Sequence, residues 1–217
     1  MASGIDRRVV HERAVRLVAA CQSRVPCQLG GGAALSGAYL AHRLSADVDL
    51  VFHAAEDLRS LAARLPDVAR DCDVGLAVVQ DGGTFLRARL DGVPNIVRLD
   101  LTLDVSGDIE APPPPIDGLV VQSLADLRAS KITCLLSRSE PRDLVDLAFL
   151  DRAGHPPERD LGLALRKDSG IDPGVLAWLL REFPVRPLPT MLQSFSEAEL
   201  ERFRDRLRER LRALAIP

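Results

Sequence analysis

Two carboxylates, Asp47 and Asp49, stand two residues apart at the head of the β-rich run Val48–Phe52, and a glycine triplet, Gly30-Gly31-Gly32, precedes them. Alternation along a strand puts both aspartates on one face. The glycines permit backbone conformations closed to other residues and let a ligand come close. A helical pattern from Ala33 to Ala41 follows, and its first N–H groups would point at whatever the glycines hold. A phosphate cradle beside paired carboxylates suits a triphosphate and Mg²⁺, which takes hard oxygen donors in compact octahedral geometry. Moving a nucleotidyl group needs such a surface, one that neutralises phosphate charge and lines up the attacking oxygen. A third carboxylate should come from a neighbouring strand: Asp100, in Arg98-Leu99-Asp100-Leu101, is the first choice and Asp104 the second.

Elements that could position these residues follow from the apolar spacing. Val9, Val10, Ala14, Leu17 and Val18 predict an amphipathic helix over 5–20, and Leu58, Leu61, Ala62 and Leu65 predict another over 56–70 that covers a sheet. Strands are expected at 74–80, 84–90 and 96–103, joined by the turn signals Asp81-Gly82-Gly83 and Asp91–Asn95, so that they pair as antiparallel neighbours. In the last of them Leu99, Leu101 and Leu103 alternate with Arg98, Asp100 and Thr102, one face core and the other polar.

Pro112–Pro115 form a stiff extended connector. Leu119–Val121 reads as a short edge strand, and Ser123 with Asp126 as a capping-box-like start to a helix through Leu136. Pro141 opens the next helix, which runs to about Leu150. Beyond it the pattern is helical, ending in Ser196-Glu197-Ala198-Glu199 followed by Leu200, Phe203, Leu207, Leu211 and Leu214 on one stripe. The fold class is therefore α+β, with a sheet-bearing domain over 1–115 and a mainly helical domain over 116–217.

Bulk properties narrow the partners little. The 217 residues carry a formal net charge of −3, which excludes a uniformly basic nucleic-acid coat but leaves local arginine patches open. Among 28 basic residues only Lys131 and Lys167 are lysines. Cys21, Cys27, Cys72 and Cys134 show no metal-ligand spacing and are expected to be reduced thiols of a cytoplasmic protein. Charges near the N-terminus argue against a signal peptide. No apolar run reaches the roughly 20 residues of a membrane span.

Each chemical reading has a plainer counterpart. The glycines could form only a tight turn, and the aspartates could edge a solvated strand. Arg142-Asp143-x-x-Asp146 could be surface pairing worth tenths of a kcal/mol, and Lys131 a solvated helix lysine. His42-Arg43 could hold a phosphate or simply anchor a helix end. Tyr39 and Trp178 are isolated aromatics, expected in the core.

Taken together, Gly31-Gly32-Ala33-Ala34-Leu35 and His42-Arg43-Leu44-Ser45-Ala46-Asp47-Val48-Asp49-Leu50 resemble the first motif of the AbiEii/AbiGii-type nucleotidyltransferases, toxin components of bacterial abortive-infection and toxin–antitoxin systems. Lys131, Arg138 and Pro141-Arg142-Asp143-Leu144-Val145-Asp146-Leu147 are similar to that family's later motifs. The matched positions span about residues 29 to 147. The resemblance implies a polymerase-beta-like nucleotidyltransferase fold, a mixed sheet flanked by helices with a helical C-terminal region. It also implies Mg²⁺-dependent transfer from an NTP, with RNA, and transfer RNA in particular, as acceptor, and an antitoxin as a partner. By position, Gly31, Gly32 and Ala33, with Arg43 and Ser45, would bind nucleotide. Asp47, Asp49 and Asp100 would bind metal, Lys131 would contact phosphate, and Asp143 would belong to the last catalytic motif. Ala33 departs from the family's usual Ser or Thr and removes a hydroxyl. The alternatives are a small-molecule or protein acceptor, and a catalytically degenerate nucleotide binder.

Overall fold

The computed structural model describes residues 4–215, and the chain divides into two units, Met1–Ser123 and Leu124–Pro217. In the first unit β1 (Gln28–Gly30), β2 (Asp47–Phe52), β3 (Gly75–Asp81), β4 (Phe85–Asp91) and β5 (Arg98–Leu103) form one sheet of order β1-β2-β5-β4-β3. β2 and β5 run parallel and every other neighbouring pair is antiparallel, so the sheet is mixed. Both expected hairpins form, with Gly83 and Asn95 at φ of 78° and 63° in their turns.

Alternation sorts the two faces of this sheet. Val48, Leu50 and Phe52 of β2, Leu99 and Leu101 of β5, and Leu86, Ala88 and Leu90 of β4 are buried on one face. There α3 (Ala55–Asp71) lies against β2, β3 and β5, and α1 (Glu12–Gln22) packs on α3. Burying each large aliphatic side chain contributes about 1.5–3 kcal/mol, so this face anchors the strands that carry the polar face.

The helix predicted over 5–20 begins only at Glu12, where His11 Nδ1 accepts the Arg13 amide at 3.2 Å. Ile5, Val9 and Val10 are buried all the same, in a turn where the Asp6 carbonyl accepts the Val9 and Val10 amides. The apolar spacing there reports burial rather than helix. The helix expected from Ala33 starts at Gly31 instead, as α2 (Gly31–Ala34), and widens into a π-helical turn, Leu35–Leu40, that ends on left-handed Ala41. The edge strand expected over Leu119–Val121 shrinks to two isolated bridges, Leu29 with Val121 and Ile116 with Leu119.

In the second unit α4 (Leu124–Ser137), α5 (Pro141–Arg152), α6 (Leu161–Lys167), α7 (Pro173–Leu179) and α8 (Glu197–Ala215) pack as helical pairs, α4 with α5 and α6, and α7 with α8. Pro141 stands in the first turn of α5, where its missing N–H leaves no bond unmade. The capping box of α8 closes in both directions: the Ser196 amide donates to the Glu199 carboxylate at 2.8 Å, and the Glu199 amide donates to Ser196 Oγ at 3.3 Å. Leu200, Phe203, Leu207 and Leu211 are buried beneath it.

Among the described residues no helix is long and apolar enough to cross a membrane. All four cysteines are free thiols, and burial pushes Cys21 and Cys27 up to about 12, which keeps them protonated.

Candidate active site

Register across the sheet assembles the polar face. The parallel pairing of β2 with β5 sets Asp47 opposite Arg98 and Asp49 opposite Asp100. β1 adds Gly30 opposite Asp49, and β4 adds Arg87 opposite Asp100. One line across four strands thus reads Gly30, Asp49, Asp100, Arg87, with Asp47 and Arg98 in the neighbouring line. Paired residues share a face, so the three predicted carboxylates stand on the same side of the sheet.

The glycine turn is fitted to this row. Gly31 has φ of +62°, and a Cβ built on it would lie 1.8 Å from Asp49 Oδ2. Any side chain there would occupy the space the Asp49 carboxylate fills. Gly32 is close to the side chains of Arg43 and Ser45, at 2.5 Å and 3.3 Å from its own added Cβ. Arg43 is buried, donates from Nη1 to the Leu44 carbonyl at 2.9 Å, and has its backbone tied to Ser36 Oγ. Ser45 Oγ donates to the Asp47 carbonyl at 3.0 Å. Arg43 and Ser45 therefore brace the segment between the glycines and Asp47 from inside. Ala33 is fully buried.

Two guanidiniums balance the carboxylates. Arg87 forks onto Asp100 with bonds of 2.9 and 2.8 Å, the bidentate geometry that makes such pairs strong. Arg98 pairs with Asp47 and reaches Asp100 at 3.5 Å. The hydrogen bond to Asp100 raises the Arg87 pKa against partial burial, and the nearby charges of Asp100, Asp47 and Asp49 add to it. Among the described residues no three Asp, Glu, His or Cys side chains converge as the ligands of a metal ion. The donor chemistry still suits one: three carboxylates from two adjacent strands, on one face, beside a turn that admits no side chain.

In the second unit, Lys131 and Asp143 form a network of their own. Lys131 Nζ donates to Asp143 at 3.0 Å and lies 2.7 Å from Asp146, all three being buried. Arg138 closes it with a two-bond fork onto Asp143, at 2.8 and 2.9 Å. Burial works to raise the Asp143 pKa, yet Lys131 and then Arg138 outweigh it and hold the carboxyl below its ordinary value. The surface-pairing reading of Arg142-Asp143-x-x-Asp146 is thereby replaced. Arg142 pairs with Glu140, while the two aspartates turn inward to Lys131.

Sequence reasoning missed Arg87 and Arg98 as partners of the carboxylates. Arg98 could have been found, because it alternates in phase with Asp100; Arg87 depends on the β4–β5 register. It also missed that Lys167, the other lysine, has a side chain only 7% exposed and pairs with Asp126 at 2.8 Å. Trp178, expected in the core, is 65% exposed.

Residues 16–215 match the family described as nucleotidyl transferase AbiEii toxin, type IV toxin–antitoxin system. Two solved structures share the fold. JHP933 from Helicobacter pylori is 20% identical, with 94% of this chain and 93% of that chain covered at a TM-score of 0.59. MenT4, a nucleotidyltransferase toxin from Mycobacterium tuberculosis, is 16% identical, with 93% and 88% covered at a TM-score of 0.61. No curated protein matches the sequence significantly.

Proposed function

We propose, from the premise that this chain belongs to the AbiEii nucleotidyl transferase toxin family, that it transfers a nucleoside monophosphate from an NTP to an RNA acceptor, with transfer RNA as its target. We assign it the toxin role in a bacterial toxin–antitoxin or abortive-infection system, in the cytoplasm and opposed by an antitoxin. One observation carries the reading: the Asp49 carboxylate lies over side-chain-free Gly31, in register with Asp100 and on the same face as Asp47.

In this reading Asp47, Asp49 and Asp100 would hold Mg²⁺, which would supply neutralisation of phosphate charge and polarisation at the α-phosphorus. Gly31 and Gly32 give the triphosphate access to main-chain N–H groups at the start of α2. The acceptor hydroxyl oxygen forms a bond to the α-phosphorus as the bond to pyrophosphate breaks, and the hydroxyl proton leaves to a nearby carboxylate or to solvent. Arg87 and Arg98 hold Asp100 and Asp47 in place, so these carboxylates are ordered before substrate arrives. Arg43 and Ser45 act on nucleotide by fixing the turn. The phosphate contact of Lys131 and the last-motif role of Asp143 are proposed on the family match, supported by the buried network that orders both.

The test is label transfer from α-labelled NTPs to total RNA in the presence of Mg²⁺. Labelled RNA that disappears with Asp49→Ala supports the reading. No transfer, or transfer equal in Asp49→Ala and the parent, refutes it.

A further inference from the structure

α7 and α8 enclose a hollow of about 520 Å3 whose lining includes Trp178, Arg181, Arg208, Arg212, Gly174 and Ala177. Its composition is unusual for this chain. Trp178 is the single tryptophan and stands 65% exposed, although its neighbours Leu176 and Ala177 are buried. Leaving so large an apolar ring in water forgoes a sizeable burial gain. Trp178 and Arg181 also line a second hollow of about 360 Å3, bordered by Ser139, Glu182 and Phe183. The indole thus borders two hollows.

The charges around it are unequal. Arg208 and Arg212 lie one helical turn apart on α8 and share one carboxylate, Glu209, at 3.0 and 3.6 Å. Arg181, one turn beyond Trp178, forms no ion pair among the described residues. Glu182 is the acidic side chain bordering the second hollow. Three guanidiniums and no acidic side chain thus line the first hollow among the described residues, so its charge is positive.

We propose that this hollow binds a strand of RNA, one base stacking on the Trp178 indole while Arg181, Arg208 and Arg212 take the flanking phosphates. An aromatic plate in a positive groove is the arrangement by which proteins hold unpaired bases, since every base has a π face and guanidinium planes both stack and pair with phosphate. Gly174 and Ala177 add little side chain to the hollow, which leaves width for a planar ring. The proposal rests on the RNA-acceptor reading above and deepens it: the helical unit carries an RNA contact of its own, with no part in the chemistry of the carboxylate row.

The single tryptophan makes the test direct, because all indole emission comes from Trp178. Titration with unfractionated tRNA should quench that emission saturably. The binding constant should fall with salt at a log–log slope near −2, as roughly three phosphate contacts to a single strand give. Trp178→Ala should weaken tRNA binding by about 5- to 150-fold, the range for one lost stack. The triple variant Arg181→Gln/Arg208→Gln/Arg212→Gln should weaken it at least 10-fold and flatten the salt slope, while its unchanged circular dichroism melt shows that it folds. Gel retardation of tRNA with unchanged emission, and equal retardation by Trp178→Ala, would overturn the proposal. So would quenching by a poly-glutamate peptide but not by tRNA, which would mark the hollow as a seat for an acidic protein. Quenching by tRNA without label transfer leaves this inference standing and removes the acceptor reading; transfer to RNA with no Trp178 dependence does the reverse.

Discussion

Replacing Gly31 with alanine should separate two demands that the turn meets at one residue. The first is conformational: φ of +62° is left-handed, and an alanine there costs about 1–2 kcal/mol, offset by about 0.4–1 kcal/mol because alanine restricts the unfolded chain. The second is spatial. The new methyl would lie 1.8 Å from Asp49 Oδ2, about half a normal contact, so the carboxylate must leave its position. Displacing a packed side chain in this way costs about 1–3 kcal/mol. Gly31→Ala should therefore cost about 2–4 kcal/mol in the parent. In an Asp49→Ala background, where the colliding atoms are gone, it should cost only about 1 kcal/mol.

A double-mutant cycle reads the difference as a coupling of about 1–3 kcal/mol. The assay is urea unfolding by circular dichroism, with hydrogen exchange of the β2 amides assigning the transition to the sheet-bearing unit. Activity gives a second readout: Gly31→Ala should lower label transfer to the level of Asp49→Ala while the protein remains folded. Equal costs of Gly31→Ala in the two backgrounds, within about 0.5 kcal/mol, would refute the claim that Gly31 exists to admit the Asp49 carboxylate.

Three further outcomes follow from the ion pairs. Lys131→Met strips two buried aspartates of their common cation and should destabilise the helical unit by about 3–5 kcal/mol in a urea melt; a change under 1 kcal/mol would contradict the buried network. Arg98→Gln removes a cation from beside Asp47, so the thermal shift produced by Mg²⁺ should be larger than in the parent, and an identical shift would argue against metal binding at Asp47. At His53, burial works to lower the pKa, but the Asp104 carbonyl and the Asp108 carboxylate win and raise it. A raised folded pKa stabilises fully below the unfolded value of about 6.5 and is lost as pH climbs through the folded value. The parent should thus lose stability relative to His53→Gln on going from about pH 6 to 8, measured by urea midpoints; parallel pH profiles would sink this assignment.

The faces of the sheet were legible because its strands alternate, while its mixed parallel and antiparallel pairing came only with the family resemblance. Arg98-Leu99-Asp100-Leu101 alternates so strictly that core and polar sides are assigned without coordinates, and Asp47-Val48-Asp49-Leu50 does the same. Glycine followed by Asp-x-Asp was legible for a similar reason, since few backbone tasks need both. What escaped was set by distant pairing. Whether Arg87 meets Asp100 depends on the β4–β5 register, which a hairpin with a five-residue interruption does not state. The failure at Ile5–Val10 was of another kind: apolar residues at helical spacing also fit a buried turn. Trp178 shows the limit of composition, because an aromatic ring is expected inside unless a surface task holds it out.

The scarcity of lysine acquires practical meaning once Lys131 and Lys167 are seen at 4% and 7% side-chain exposure, each locked to aspartate. In the folded chain neither ε-amine is open to acylating reagents. Both amines become reactive only when the helical unit opens. Their acylation is therefore a clock for that opening, set by two residues, while every other member of the 28 Lys and Arg residues is an arginine, whose charge no cellular pH removes.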